Sequence, residues 1–186
     1  MDKPRECVVV GVTGSIAAYK AAELVRLLKA EDLDVWVVMT RAATRFVGEL
    51  TFRTLSQHPV AAEMFPETGD WLPEHISLAD RADAMVVAPC TANVIAKMAH
   101  GLADDLLSCT VLACRAPVIV APAMNEKMWD NPAMAENVGI LTSRGVRVIE
   151  VGSGELACGY QGRGRMAPPA DIVKAVMEVL DGGRRR

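Results

Sequence analysis

The segment "LACGYQGRGRM", residues 156–166, places chemically capable side chains on a backbone rich in glycine. Cys158 carries a thiol that could act as a nucleophile or a proton donor, and Arg163 and Arg165 follow it at short spacing. Guanidinium groups bind phosphate, and they lower the pKa of a thiol that lies beside them. A glycine-rich segment packs poorly into a core, so the pattern predicts a mobile loop. The alternative is a solvated connector that contains a cysteine by chance.

His75 is a second candidate, because imidazole titrates near neutral pH and suits acid-base chemistry. It lies in "PEHISLADRADA", where Ile76 and Leu78 predict a helix that partly faces the core. A lone histidine is more often structural than catalytic. Position 79 is alanine, so the helical histidine pair that would bind a metal is absent, and we expect no metal site.

A glycine turn follows the first predicted strand, in "GVTGSIAAYK". Gly11 and Gly14 allow a tight turn, and Ser15 with the first N–H groups of the next helix could bind an anion such as phosphate. The stretch matches neither the dinucleotide fingerprint nor the P-loop pattern. An ordinary glycine turn with Ser15 as the helix N-cap is an equal alternative.

Small polar side chains follow three further predicted strands. Thr40 ends the second strand, in "MTRAAT". In "APCTANVIAK", Pro89 is expected to stop the strand, and Thr91 and Asn93 bring polar groups to the same edge. Asn125 follows the next strand in "APAMNEKMW", and its amide both donates and accepts hydrogen bonds. For Thr40 and Asn125 the alternative is an ordinary helix cap.

The elements that must position these residues alternate between strand and helix. Short apolar runs predict strands near residues 7–12, 33–40, 83–89, 116–124 and 146–152, and helical periodicity predicts the segments between and after them. The pattern predicts the α/β class, a doubly wound parallel sheet that is Rossmann-like or flavodoxin-like, in a single domain. We expect that domain to span residues 1–181, with 182–186 as a basic tail or linker stub. Ligands bind such sheets beyond the carboxyl ends of the strands.

Composition excludes several function classes. The chain has 186 residues, 51% of them hydrophobic, and a net charge of −3, so a sizeable core is expected and nucleic acid is a poor default partner. Neither a membrane-length apolar run nor a signal-peptide pattern occurs in the sequence, so we expect a cytoplasmic protein without a membrane partner. Five cysteines without a C-x-x-C pair argue against both a disulfide framework and a zinc site.

Five segments taken together give the sequence a family resemblance. They are "GVTGSIAAYK", "HISLADRAD", "PCTANVIAKMAHGLADDLLS", "PAMNEKMW" and "GELACGYQGRGRM", in this order over nearly the whole chain. The sequence resembles the flavin-containing cysteine decarboxylases, and within that family the branch that acts on phosphopantothenoylcysteine. Each segment alone is a weak signal, whereas the set is specific.

The resemblance implies an FMN cofactor at the subunit interface of a homotrimer, and such trimers often assemble into a dodecamer. Gly14, Ser15 and Thr40 would hold the phosphate or ribityl chain, and the stretch from Pro89 to Asn93 would line the flavin. The residues implied to bind the cofactor are Gly14, Ser15, Ile16, Thr40, Pro89, Thr91, Ala92 and Asn93.

The implied reaction converts 4′-phospho-N-pantothenoylcysteine to 4′-phosphopantetheine in coenzyme A biosynthesis. Direct loss of CO₂ would leave an unstabilised carbanion, so the family first oxidises the thiol-bearing carbon to a thioaldehyde. CO₂ then leaves to give an ene-thiolate, which is reduced again. His75 would be the base near the thiol, Asn125 with Met124 would bind the substrate carboxylate end, and Cys158 would donate the final proton. The segment around Cys158 would be a substrate clamp, in which Arg165 or Arg163 binds a phosphate or fixes the closed loop.

Two positions depart from the family pattern. Cys90 stands where a small residue such as alanine is usual, and Pro168 stands where relatives often have an acidic residue. Many bacterial relatives are bifunctional and carry a downstream phosphopantothenate–cysteine ligase domain. The chain is therefore expected to be either a stand-alone decarboxylase beside a separate ligase or a domain of a longer protein.

Three other functions remain open on sequence grounds. A peptidyl-cysteine decarboxylase of the lantibiotic type stops at the ene-thiol and does not need the reducing Cys158. A flavin prenyltransferase would share the fold without the "PAMN" and clamp segments. A non-catalytic flavin-binding subunit that regulates a phosphatase usually has acidic tails or inserts, which this sequence lacks.

Overall fold

The fold is built around one parallel sheet. The computed structural model describes residues 5–64, 74–155, 159 and 161–184 of the chain. The strands of the parallel sheet are β1 (Cys7–Val12), β2 (Asp34–Met39), β3 (Val60–Ala61), β4 (Ala84–Cys90), β5 (Val118–Pro122) and β6 (Arg147–Val148). Two further strands, β7 (Gly152–Glu155) and β8 (Gln161–Arg165), form a separate antiparallel pair.

The strand order confirms the predicted doubly wound architecture. The six strands lie in the order β3-β2-β1-β4-β5-β6, and all pairs in that sheet are parallel. This is the Rossmann order, and without the two-residue β3 it is also the flavodoxin order. The chain reverses direction across the sheet between β1 and β4, which places the topological switch point there.

Helices cover both faces of the sheet. They are α1 (Ala18–Ala30), α2 (Glu49–Ser56), α3 (Glu74–Arg81), α4 (Ala92–His100), α5 (Leu106–Ala113), α6 (Glu126–Trp129), α7 (Pro132–Ser143) and α8 (Pro169–Arg184). A short 3₁₀ turn, Ala43–Arg45, follows β2. Among the described residues, no helix is both long and apolar enough to cross a membrane.

Alternation within each strand divides the core between the two faces. Val8 and Val10 of β1 pack with Leu24 of α1 and Ile172 of α8, whereas Val9 packs into the cluster on the other face. Side chains of successive strand residues point to opposite faces, and a fully buried Val or Leu contributes about 1.5–3 kcal/mol. The continuous apolar runs in β1 and β4 are buried at every position, as expected for central parallel strands covered on both faces.

Three local predictions were wrong. The segment "LACGYQGRGRM" was expected to be a loop, yet its residues Gln161–Arg165 form β8, which pairs antiparallel with β7. Pro89 was expected to stop its strand, but β4 continues through the cis Ala88–Pro89 peptide to Cys90. The strand expected over 146–152 pairs with the sheet only at Arg147–Val148.

Candidate active site at the carboxyl edge of the sheet

Thr13 joins the ends of β1 and β4 at the switch point. Its fully buried hydroxyl donates to the Pro89 carbonyl at 2.7 Å and accepts from the Thr91 N–H at 3.0 Å. Because both bonds span 76 or more residues, this one side chain sets how the two loops meet. Sequence reasoning missed Thr13. The sequence contained one signal for it, because Thr13 places a hydroxyl directly between the buried strand β1 and the glycine of the turn.

The Gly14 turn is fixed by close packing rather than by a positive φ. A Cβ at Gly14 would lie 2.4 Å from the Cβ of Ala42, so the turns after β1 and β2 touch at this point. Ser15 is not the N-cap that was predicted, because α1 has Ala17 at that position. The Ser15 hydroxyl instead accepts from the Ala17 N–H at 3.3 Å. Within the described part of the chain, the N–H groups of Gly14 and Ile16 make no hydrogen bond to a protein acceptor.

Thr40 uses its hydroxyl within its own turn. The side chain is buried, and Oγ1 accepts from the Ala43 N–H at 3.2 Å at the start of the 3₁₀ turn. The Thr40 N–H also donates to the Val12 carbonyl at 3.0 Å, which holds the end of β2 beside β1. Thr40 therefore lies at the predicted edge, where its hydroxyl stabilises the turn, although the N-cap of the 3₁₀ turn is Ala42.

The stretch from Pro89 to Asn93 forms the end of β4 and the first turn of α4. Thr91 is the N-cap of α4 and accepts from the Val94 N–H at 3.5 Å, while Ala92 is the first helical residue. Asn93 is exposed. Cys90 is fully buried, and burial raises the pKa of its thiol well above the usual range. Cys90 is therefore a protonated, unreactive packing residue rather than a redox group.

Asn125 is the N-cap of the short helix α6 and lies three residues beyond the end of β5. Its Oδ1 accepts from the Lys127 N–H at 2.9 Å, so the predicted cap interaction is present. Met124 lies just before it, half-buried, and its N–H donates to the Gly164 carbonyl at 3.0 Å. The cap fixes the backbone of Asn125 and therefore the direction in which its side chain leaves the edge of the sheet.

A cavity of about 620 Å³ brings several of the predicted residues together. Its lining includes Ser15 and Ile16 from the turn after β1, Met124 and Asn125 from the end of β5, and Arg165 from β8. Tyr19, Lys20 and Glu155 add further polar groups to the wall. The first of these segments is more than a hundred residues from the other two in the sequence, and the cavity lies where parallel α/β sheets bind ligands.

Arg165 and Arg163 occupy different surroundings. Arg165 lines the cavity, and its guanidinium lies against β7, where a Cβ at Gly154 would be 2.5 Å from the Nη1 atom. The Arg163 N–H donates to Glu126 at 3.0 Å, and its side chain is not part of the cavity wall. Of the two arginines that the sequence left undecided, Arg165 is the one that reaches the cavity.

Among the described residues, several other predicted site residues are not part of the wall of this cavity. His75 is the second residue of α3 and is half-buried beside Glu74, whose carboxyl pKa is raised by burial. Neither His75 nor the stretch from Pro89 to Asn93 contributes to the wall. Cys158 lies outside the described residues, between β7 and β8 in the chain.

A second cavity, of about 510 Å³, lies between α4, α5 and the start of β5, away from the carboxyl ends of the strands. Lys97 in its wall is bound to Asp104 at 2.6 Å and to Asp105 at 2.7 Å. Burial opposes the charge of Lys97, but its hydrogen bonds to the two carboxylates outweigh that effect and raise its pKa. The charge of Lys97 is therefore already neutralised, and the other cations in this wall are Arg115 and Arg144.

The sequence matches the Flavoprotein family over residues 1–181. The chain belongs to the flavoprotein family. This match confirms the family resemblance that the five sequence segments predicted.

Known proteins similar to this flavoprotein include a curated relative and two solved structures. The coenzyme A biosynthesis bifunctional protein CoaBC of Bacillus subtilis (strain 168) is 48% identical over 90% of this chain and 41% of that protein. A PPC decarboxylase mutant complexed with pantothenoylaminoethenethiol is 32% identical with a TM-score of 0.85, covering 96% of this chain and 100% of that one. The FMN-dependent cysteine decarboxylase SpaF is 30% identical with a TM-score of 0.79, covering 94% of this chain and 97% of that one.

These matches confirm the predicted fold along almost the whole flavoprotein chain. The chain spans about two fifths of the length of the curated relatives it matches.

Proposed function

We propose that this flavoprotein is an FMN-dependent carboxy-lyase that converts 4′-phospho-N-pantothenoylcysteine to 4′-phosphopantetheine in coenzyme A biosynthesis. The curated relatives are named for coenzyme A biosynthesis, and the PPC decarboxylase is similar over its whole length. The cytoplasm is the proposed compartment, since this substrate class belongs to central metabolism.

The cavity that joins the Ser15 turn to Asn125 and Arg165 carries the proposal. An amide and a guanidinium in one cavity suit a substrate with a carboxylate at one end and a phosphate at the other. Lys20 adds a second cation to the same wall. An arrangement of these donors beside a helix N-terminus suits anionic ligands.

The residues at this edge also fit FMN. The Gly14 and Ile16 N–H groups are donors without a protein acceptor among the described residues, and the Ser15 hydroxyl lies between them. Neutral donors at a switch point are the usual partners of a nucleotide phosphate. Gly14, Ser15, Ile16 and Thr40 would hold the phosphate and ribityl parts, and the stretch from Pro89 to Asn93 would line the ring.

In this proposal the bound flavin supplies the hydride acceptor and donor, while the protein supplies orientation and proton transfers. Asn125 donates from its amide to the substrate carboxylate and so holds the cysteine end in place. His75 takes the thiol proton as the thiol-bearing carbon is oxidised. After CO₂ leaves, Cys158 donates the proton that completes reduction of the ene-thiolate.

A site shared between subunits is part of the proposal. His75 and the stretch from Pro89 to Asn93 lie outside the cavity that contains Asn125, so one chain alone does not assemble all the proposed groups. Large apolar side chains are exposed beside the cavity turn and on the neighbouring loop: Ile16, Tyr19, Phe46 and Leu50. Exposed apolar side chains of this kind indicate protein contacts, which supports a homotrimer or a dodecamer that is assembled from such trimers.

A ligase partner is also proposed. The curated relatives are named bifunctional, and this chain covers only part of them. A phosphopantothenate–cysteine ligase, joined to this domain or separate from it, would form the cysteine conjugate that the decarboxylase consumes.

Cys158→Ala tests the proposed function directly. The purified FMN-loaded variant and its parent are mixed anaerobically with phosphopantothenoylcysteine, flavin absorbance is followed, and products are identified by mass. We expect the variant to bleach the flavin, release CO₂ and accumulate the ene-thiol, because the protonation that completes reduction is lost.

The parent should form phosphopantetheine under the same conditions. Equal phosphopantetheine production by the variant would show that Cys158 is not the proton donor. If the parent itself does not react, the substrate assignment is wrong, and a peptidyl-cysteine substrate or a regulatory flavin-binding role becomes the better explanation.

A further inference from the structure

Two hydrogen bonds attach the β7–β8 hairpin to the turn after β5, and both involve the backbone of β8. The Met124 N–H donates to the Gly164 carbonyl at 3.0 Å. The Arg163 N–H, one residue away, donates to Oε1 of Glu126 at 3.0 Å. Glu126 is the first residue of α6 and is partly buried against β8. One hydrogen bond to a side chain and one between backbone groups therefore hold β8 beside this turn.

Two glycines in β8 make this approach possible. A Cβ at Gly164, where φ is +117°, would lie closer than van der Waals contact to the Met124 carbonyl oxygen. A Cβ at Gly162 would lie 2.8 Å from Oε2 of Glu126 and 2.9 Å from its Cδ. The strand therefore lies flat against the turn after β5, and the Glu126 carboxylate fills the space that a side chain at position 162 would need.

The same turn carries Asn125. Because Asn125 caps α6 and Glu126 begins it, two adjacent residues control two walls of the 620 Å³ cavity. Asn125 faces the cavity directly, whereas Glu126 holds the strand from which Arg165 reaches it. Movement of the Glu126 contact would change the position of Arg165 relative to Asn125.

We infer that Glu126 is a positioning residue for the decarboxylation: its carboxylate holds β8, and with it the hairpin, in register with Asn125. The inference rests on the proposed function for its catalytic consequence, but the attachment of the hairpin is independent of that function. Hydrogen bonds to a carboxylate are stronger than those between neutral groups, so one such contact matters for a hairpin of two short strands.

Hydrogen exchange tests the attachment without using activity. In the FMN-loaded protein, the backbone amides of 161–165 are compared in the parent, Glu126→Ala, Glu126→Gln and Lys127→Ala. We expect Glu126→Ala to speed exchange in this segment about tenfold, because the Arg163 N–H loses its acceptor. Glu126→Gln keeps an oxygen acceptor and should restore most of the protection. Lys127→Ala changes the exposed neighbour on α6 and should leave exchange unchanged.

Steady-state kinetics then test the catalytic consequence. With phosphopantothenoylcysteine, Glu126→Ala should raise KM about tenfold while kcat changes little, because Arg165 shifts relative to Asn125 and the substrate loses their joint contact. Gly162→Ala should have the same effect by displacing the carboxylate. A loss of folding alone would lower FMN content and kcat together.

Two results would overturn the inference. Unchanged exchange over 161–165 in Glu126→Ala would show that the carboxylate does not hold the hairpin. Faster exchange with an unchanged KM would show that the attachment has no role in catalysis. A parent that does not react at all refutes the proposed function instead, and in that case the exchange result still decides whether Glu126 anchors the hairpin.

Discussion

The two edges of the parallel sheet use polar side chains in opposite ways. At the carboxyl edge, the Gly14 turn, Asn125 and Arg165 face a cavity of about 620 Å³. At the amino edge, Asp34 and His58 bind each other, with Nε2 of the imidazole 2.6 Å from Oδ1 of the carboxylate. At the first edge the polar side chains line a cavity, whereas at the second they bond to one another.

The amino-edge cluster consists of Asp34, Trp36, His58 and Arg81. The indole N–H of Trp36 donates to Asp34 at 2.9 Å, and the Trp36 and His58 rings stack with centroids 4.0 Å apart. The Arg81 guanidinium carbon lies 3.8 Å from the Trp36 ring centroid. Burial alone would raise the pKa of Asp34, but the hydrogen bonds from His58 and Trp36 outweigh it and lower that pKa.

The comparison shows that residue type alone does not distinguish a site from a structural cluster. By composition, the amino edge looks more catalytic, since it contains a histidine, a carboxylate and an arginine. Its carboxylate and imidazole are bonded to each other, and none of its four residues lines either cavity. A candidate site is recognised by polar groups that converge on a cavity.

Asn125→Ala should produce the largest effect on turnover, because it removes a proposed hydrogen-bond donor to the substrate from the carboxyl edge of the sheet. We expect phosphopantothenoylcysteine turnover to fall roughly 100-fold while FMN remains bound, since a lost bond to a charged substrate costs about 1.5–3 kcal/mol. Steady-state kinetics and the flavin spectrum measure the two quantities.

The control for this substitution is Asn125→Ser, which keeps a side-chain acceptor for the α6 cap without the amide donor. It should be as inactive as Asn125→Ala. Loss of FMN from either variant would contradict the assignment of Asn125 to substrate rather than cofactor.

Thr13→Val tests a buried connection at the same edge. The substitution keeps the shape but leaves the Pro89 carbonyl and the Thr91 N–H without their partner. We expect the free energy of unfolding to fall by about 2 kcal/mol, measured by urea denaturation. Thr54→Val is the matched control, because that hydroxyl is exposed and bonds only within α2. Equal stability of the two variants would refute the role of Thr13.

Asp34→Asn should have the smallest effect and tests the amino edge. The folded-state pKa of Asp34 is lowered, so its carboxylate stabilises the fold above about pH 4, and that stabilisation is lost as pH falls through the folded-state pKa. We expect the variant to lose about 1 kcal/mol at pH 7 and to show a weaker decline in stability on acidification.

Denaturation at several pH values measures this dependence, together with decarboxylase activity at pH 7. Asp32→Asn is the control, because its bond to Arg5 is highly exposed and should contribute little. A large loss of turnover in Asp34→Asn would contradict the conclusion that the cluster at the amino edge is structural and not part of the active site.

Much of the fold could be predicted from the sequence. The runs that became β1 and β4, the break between α4 and α5 at Gly101, and the start of α8 near Pro169 all follow from local composition. Local signals of this kind arise from residues within one or two turns of each other. The doubly wound class then follows from the alternation of strands and helices.

The candidate site could be predicted only in part. Asn125 was correctly placed at the end of a strand, and its cap interaction was named as one alternative. The pairing of β7 with β8 was missed because the glycines of this segment suggested a loop. Glycine is instead needed in β8 because the strand lies very close to Met124 and Glu126. The requirement for glycine at position 14 likewise comes from Ala42, which the turn motif does not reveal.

The sequence by itself determined most of the strands and helices of the parallel sheet layers, the family, and the residue types available at the carboxyl edge of the sheet. Only the tertiary structure decided which of them meet: Thr13 with Pro89 and Thr91, Arg165 with the wall that contains Asn125, and Glu126 with Arg163. Strand and helix preferences act between near neighbours in the chain, whereas these contacts join distant segments. Their geometry therefore depends on how the layers pack, which no local pattern encodes.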